Sequence, residues 1–339
     1  MLNDRRLGAQ IMPKPETTGG ETVSVGAPAV EVSDLSWRYP RAQRPALSNV
    51  TFRVRPGSCF GLIGPNGAGK STLFALLSGI RRPREGEITV MGLSAKTSLA
   101  KVRAISGLAP QDFAFYPTLT GNENLDFFAG AYRLDPNVWK QRRDEAIAIC
   151  ELAEHIDKRA DTYSGGLKRR LNFAIALLNK PAVLYLDEPT VGIDARSRRT
   201  IVDAVAEIRR SGTTIIYTSH YMEEVEALCD EICIVNNGRI ISSGPIADYQ
   251  QAGDPSRIHI RLATQPDRAV RDRLTTDGAN WIDSRQFDAP AASTGAMAQW
   301  LDKLSDLGLE AAQVRYGESR LEKVYIDLIS DAVGESEAA

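Results

Sequence analysis

The sequence predicts an α/β domain built on a substantially parallel sheet, followed by a smaller α+β appendage. Two observations carry the first part. The apolar runs 59–63, 183–186, 214–217 and 232–235 have the length and composition of buried strands. Segments with helical patterning separate them, and a parallel strand pair needs a connection of about that length. The third observation is the break at Gly253, Asp254 and Pro255, beyond which the apolar pattern starts afresh.

Taken in chain order, residues 1–27 are rich in Gly, Thr, Pro and charge, and are expected to form a disordered arm. The main domain is expected over 28–252. Alternation at Val30, Val32 and Leu35, and at Val50, Phe52 and Val54, predicts strands. The run 59–63 is a buried strand that feeds a Gly-rich loop. Residues 113–165 are expected to be a helical subdomain. There, Leu125, Phe128, Ala129 and Tyr132 share one helix face, and Ile147, Cys150 and Leu152 share another. Beyond the break, Ile258, Ile260 and Leu262 alternate as a strand. Met297, Trp300, Leu301, Leu304 and Leu307 have helical spacing, as do Leu321, Val324, Tyr325 and Leu328. A small domain over 255–330 follows, with a frayed acidic tail at 331–339.

Of the 339 residues, 43% are hydrophobic and 25% charged, with a formal net charge of −2. Those values suit a globular protein and argue against a nucleic-acid partner, which calls for a basic excess. No run reaches the roughly 18 apolar residues of a membrane span, and the N-terminus lacks the apolar core of a signal peptide. The expected location is the cytosol or the cytosolic face of a membrane. Cys59, Cys150, Cys229 and Cys233 are read as core thiols. Cys229 ends a helical pattern and Cys233 lies in the following strand, so their spacing does not make a metal site.

The segment Gly64, Pro65, Asn66, Gly67, Ala68, Gly69, Lys70, Ser71, Thr72 fits the pattern G-x4-G-K-S/T, between a predicted strand and a predicted helix. Glycines let backbone N–H groups curl around phosphate oxygens, and the helix N-terminus adds positive partial charge. Lys70 supplies a cation to the β- and γ-phosphates of a nucleotide, and Ser71 can ligate Mg²⁺. The apolar strand 183–186 ends in two carboxylates, Asp187 and Glu188. Beside a phosphate loop, Asp187 is placed to hold Mg²⁺ through water, and Glu188 to polarise the attacking water.

Residues 163–170, YSGGLKRR, resemble the signature motif of the ABC ATPase family. The resemblance covers about residues 30–250. It implies that Ser164, Gly165 and Gly166 open a helix and bind the γ-phosphate of ATP held by a partner subunit. Tyr39 resembles the aromatic that stacks on adenine. Gln111 resembles the Q-loop glutamine, which senses Mg²⁺ and the attacking water. Asp194 in PTVGID resembles the D-loop aspartate, and His220 the switch histidine. Leu167, Tyr163 and Ile193 depart from the commonest family residues. With SHYMEEVEALCD and the C-terminal LEKVYIDLI, they resemble the ABC-2 exporter branch.

What this implies is a RecA-like P-loop ATPase core with an N-terminal antiparallel β region and a helical subdomain. Two copies sandwich two ATP molecules head to tail and drive a separate ABC-2 type permease from the cytoplasmic face of the membrane. An importer motor and a soluble ABC ATPase acting on ribosomes or DNA are the rival readings. Lys168, Arg169 and Arg170 lie where cations oppose the helix dipole. That cost is met either by solvent on an open face or by bound ATP or an acidic partner surface. Phe113, Phe115, Tyr116 and Leu119 form an apolar group that suits either permease docking or packing within the helical subdomain.

Overall fold

The structure is a computed structural model and describes residues 26–251, 257–281, 283–291, 293–316 and 320–337. All but Gly26 and Ala27 of the expected arm, and the break at 253–255, lie outside the described residues.

Strands β1 (Val30–Trp37) and β2 (Leu47–Val54) pair antiparallel, with Val32 opposite Phe52 and Leu35 opposite Val50. After β3 (Cys59–Ile63) comes helix α1 (Lys70–Leu77), then β4 (Glu85–Val90) and β5 (Leu93–Ser94). These complete a four-stranded sheet in the order β2-β1-β4-β5, the expected antiparallel region. Helix α2 (Leu99–Ala104) leads into β6 (Ser106–Ala109), α3 (Gly121–Ala131), α4 (Pro136–Ile149) and α5 (Gly165–Leu177). Then β7 (Val183–Asp187), α6 (Ala195–Arg210), β8 (Thr214–Thr218), α7 (Met222–Leu228), β9 (Glu231–Asn236), β10 (Arg239–Pro245) and α8 (Ile246–Gln251) alternate.

The central sheet has the order β10-β9-β3-β8-β7-β6, parallel except for the β9–β10 edge pair. Its inner strands are buried on both faces, which is why they read as unbroken apolar runs. Successive side chains still part by the pleat. Leu184, Leu186, Ile215 and Tyr217 enter a core under α5, α6 and α7. Phe60, Leu62, Tyr185 and Ile216 enter a second core shared with α1 and the antiparallel sheet.

Residues 113–120 are irregular, not helical. Pro117 cannot donate to a helix interior, and Thr120 caps α3 through a reciprocal capping box with Glu123, so the helix starts at Gly121. Asn124, fully buried, holds this loop: it accepts from the Tyr116 N–H at 2.8 Å and donates to the Tyr116 and Thr120 carbonyls.

The second unit comprises β11 (Arg257–Leu262), α9 (Arg268–Thr276), β12 (Asn280–Trp281), β13 (Gln286–Pro290), α10 (Thr294–Asp306) and β14 (Ala311–Tyr316). Its antiparallel sheet has the order β12-β13-β11-β14, the split β-α-β-β-α-β arrangement of ferredoxin-like domains. Ile258, Ile260, Phe287, Leu274, Trp300 and Leu304 form its core.

The last helix, α11 (Arg320–Glu337), packs otherwise than expected. Its apolar face, Leu321, Val324, Tyr325, Leu328 and Ile329, joins the core of the first domain and not that of the small one. Helical spacing shows that a face is apolar but not which surface it covers. Its backbone runs to Glu337, over part of the acidic tail at 331–339. Residues 338–339 lie outside the described residues.

Candidate functional site

β3 ends at Ile63, and the chain curls through residues 64–69 before α1 begins at Lys70. Gly69, the N-cap, has φ of 109°, and a Cβ there would stand 2.7 Å from the Ala46 carbonyl oxygen. No side chain caps α1, so its first N–H groups are left for an anion. Lys70 is 6% exposed, and its Nζ donates to the carbonyls of Gly64 at 2.7 Å and Pro65 at 3.2 Å. Burial pushes its pKa below the usual lysine range, against the pull of Glu188 and Asp187. A buried ammonium at an uncapped helix start fits a phosphate group.

The parallel strands β7 and β8 bring the acidic pair beside this loop. Glu188 follows β7 with φ of 50°, a conformation that costs a non-glycine residue about 1–3 kcal/mol and that gathers at functional sites. Its Oε2 accepts from Gln111 Nε2 at 2.9 Å, and its Oε1 lies 2.8 Å from His220 Nε2 and 4.0 Å from Lys70 Nζ. Three predicted residues thus meet on the carboxylate of a fourth. Asp187 Oδ1 accepts from the Thr218 hydroxyl at 3.0 Å, and the same hydroxyl oxygen accepts from the Glu188 N–H at 2.9 Å. Thr218 therefore holds the Asp187 carboxylate and the Glu188 backbone. Its signal in the sequence is only a hydroxyl at a strand end, two residues before His220.

A cavity of about 510 Å³ is lined by residues 66–72, Tyr39, Ala46, Gln111 and Glu188. Tyr39 Oη lies 3.1 Å from the Thr72 hydroxyl, and the Arg81 guanidinium sits 5.0 Å from the centre of its ring. Oxygen donors suited to Mg²⁺ are present in the Ser71 hydroxyl and the Asp187 carboxylate.

Ser164, Gly165, Gly166 and Asp194 do not line that cavity; they form a separate cluster. Ser164 caps α5 by accepting from the Leu167 N–H at 3.3 Å. Asp194 caps α6, accepting from the Ser197 N–H at 2.9 Å and the Ser197 hydroxyl at 2.8 Å. Those bonds hold its carboxyl below the usual aspartate range. Gly166 passes so close that a Cβ would lie 2.0 Å from the Ser197 hydroxyl oxygen. No larger residue fits there without moving the cap.

Helix α5 also grips the segment that carries Gln111. Asn172 accepts from the Ala114 N–H at 3.0 Å and donates to the Pro110 carbonyl at 2.9 Å. Arg169 donates to the Gln111 carbonyl and lies 4.9 Å from the centre of the Phe113 ring. Arg169 is 8% exposed, so it does not lie on a solvated face. Burial lowers its pKa, opposed by Glu188, Asp112 and Asp187. Arg170 is likewise paid in hydrogen bonds, from its guanidinium to the Cys150 and Glu151 carbonyls.

Comparison with known proteins agrees with these motifs. A sequence profile described as ABC transporter matches residues 47–191. The chain is 45% identical over 202 residues to the linearmycin resistance ATP-binding protein LnrL of Bacillus subtilis, covering 60% of this chain and 65% of that one. It is 34% identical over 314 residues to the daunorubicin resistance ATP-binding protein DrrA3 of Streptomyces coeruleorubidus, covering 92% of this chain and 99% of that protein. It is 38% identical to the Nod factor export ATP-binding protein I of Rhizobium etli, covering 64% of this chain and 68% of that protein. Among solved structures, the ATP binding subunit of an ABC transporter matches with a TM-score of 0.60 at 29% identity, over 66% of this chain and 92% of that one. The chain belongs to the ABC transporter family, as an ATP-binding and ATP-hydrolysing subunit of the export type.

Proposed function

We propose that this subunit hydrolyses ATP at sites shared between two copies of the chain and so drives a separate ABC-2 type permease. The carrying observation is the division of the site residues. Lys70, Gln111 and Glu188 line one cavity and His220 contacts Glu188, while Ser164, Gly165, Gly166 and Asp194 cluster outside it. A head-to-tail pair supplies each cavity with the other copy's cluster, closing a C2 arrangement.

Within a site, Tyr39 carries the adenine, residues 64–72 cradle the phosphates and Lys70 neutralises them. Ser71, Asp187 and Gln111 would hold Mg²⁺, which when bound would supply charge stabilisation at the phosphates. Glu188 orients and deprotonates the attacking water, and His220 and Gln111 hold the carboxylate in place. The Ser164 hydroxyl and the N–H groups of α5 receive the γ-phosphate across the interface. Catalysis is then positioning and charge stabilisation.

Among the described residues no helix is long and apolar enough to cross a membrane. We place the chain at the cytoplasmic face, held through its permease. Phe113, Tyr116 and Phe127 are 44%, 47% and 46% exposed, and the ring centres of Tyr116 and Phe127 are 4.7 Å apart. This aromatic patch fits a short permease helix. Phe115 does not belong to it, being 9% exposed within the domain core.

The test is complementation. Lys70→Ala and Ser164→Arg are each expected to abolish hydrolysis, and Ser164→Arg to leave nucleotide affinity of the monomer nearly intact. Mixing the two restores one sound site per mixed dimer. Activity that stays absent in every mixture, at concentrations where wild type is active, rules out the shared site.

A further inference from the structure

We propose that Glu224 is a positioning residue for hydrolysis, tying the segment after Glu188 to the segment before His220 so that both groups move together. This rests on the roles given above to Glu188 and His220. Glu224 lies in α7 and is 6% exposed. Its Oε2 accepts three hydroxyls from three places: Thr190 at 2.8 Å, Tyr217 at 2.8 Å and Ser219 at 2.7 Å. Thr190 stands two residues beyond Glu188. Ser219 directly precedes His220, and its oxygen accepts from the Tyr221 N–H at 3.0 Å. The carboxylate thus holds the Ser219 hydroxyl, which in turn holds the Tyr221 N–H on the other side of His220. Burial, with Glu224 beside it, pushes the Tyr217 hydroxyl well above its usual range, so it stays a donor.

The other carboxylate oxygen points to a second connection. Oε1 of Glu224 is buried without a hydrogen-bond partner, and so is Nε of Arg198, 3.7 Å away. The Arg198 guanidinium also lies 3.8 Å from the centre of the Tyr221 ring. An approach of about 0.8 Å would turn this contact into a charge-assisted hydrogen bond. Thr190 and Arg198 flank the segment that carries Asp194, the residue assigned to the partner copy. A displacement of that segment on dimer closure therefore reaches Glu224 from both sides, and Ser219 through it. An apolar side chain would fill this buried place without the desolvation cost of a carboxylate. What it could not do is fix three elements in register.

The experiment compares Glu224→Gln, Ser219→Ala and their double variant in the purified full chain. It measures steady-state ATP hydrolysis, nucleotide affinity and thermal unfolding. Each single variant is expected to lower kcat about tenfold with KM for ATP within about twofold, because neither group touches the cavity. The double variant should be no slower than the slower single one, since both act through one connection. Multiplicative losses, or a folded Glu224→Gln with kcat within about twofold of wild type, overturn the proposal. Glu188→Gln serves as the reference. If it turns over like wild type, the assigned chemistry fails; if it is inactive while Glu224→Gln is not, only the coupling fails. Should Glu224→Gln not fold, Ser219→Ala and Thr190→Val each remove one donor and keep the carboxylate. Unchanged kcat in both then overturns the proposal.

Discussion

Lys70 shows how one residue can serve binding at the expense of the empty protein. Its ammonium is buried, and its lowered pKa means that the folded state binds this proton less tightly than the unfolded chain, whose value is near 10.5. Between the lowered value and 10.5 the unfolded state holds more protons, so stability rises with pH. The destabilising share of Lys70 is full below its folded pKa and fades as pH climbs toward 10.5. Urea unfolding of nucleotide-free wild type and Lys70→Met at pH 7 and pH 10 should show wild type gaining on the variant at the higher pH. The thiols make a second prediction. Burial raises the Cys150 pKa far above the thiol range and that of Cys233 to about 12. The hydrogen bond to Cys59, 3.7 Å away, together with burial raises that of Cys229. An aromatic disulfide reagent at pH 8 should find no reactive thiol in the native chain and all four after unfolding. Residue identity was legible where a motif fixes spacing, as for Lys70, Asp187 and Glu188. Thr218 and Glu224 were not, because a lone hydroxyl or a glutamate in a helix gains meaning only when strands bring distant partners to it.

At the scale of the element, α5 has two duties on one helix. Its first turn presents Ser164 outward, and its next turn holds the Gln111 segment through Arg169 and Asn172. Asn172→Leu would leave the Ala114 N–H and the Pro110 carbonyl without partners, a loss of about 1–3 kcal/mol of stability. It should also slow hydrolysis, because Gln111 loses its station against Glu188. Chemical denaturation and steady-state rates check both. The aromatic patch gives the other prediction at this scale. Tyr116→Glu should leave nucleotide binding intact and abolish recruitment to membranes that contain the permease, as read by co-sedimentation. The central strands were legible because burial on both faces makes unbroken apolar runs. The segment 113–120 falls in the span expected to be helical, but Asn124, distant by several residues, pins it as a loop, and nothing local in 113–120 announces that bond.

For the whole molecule, the decisive fact is that the small domain keeps its own core while α11 does not belong to it. Phe287→Ala, deep in that core, should lower only the transition of the small domain in a calorimetric scan. Leu321→Ala should instead destabilise the ATPase domain, by about 2–4 kcal/mol, since its fully buried side chain lies in the core beneath α7. The Leu321 N–H donates to the Glu226 carboxylate of α7 at 3.1 Å, and α11 rests on α8, α7 and β9. The chain thus leaves for the small domain after α8 and comes back to lie against α8. In topological terms the small domain is a guest in a host, not a tail. A different guest could therefore be spliced between α8 and α11, and the host would still be closed by α11.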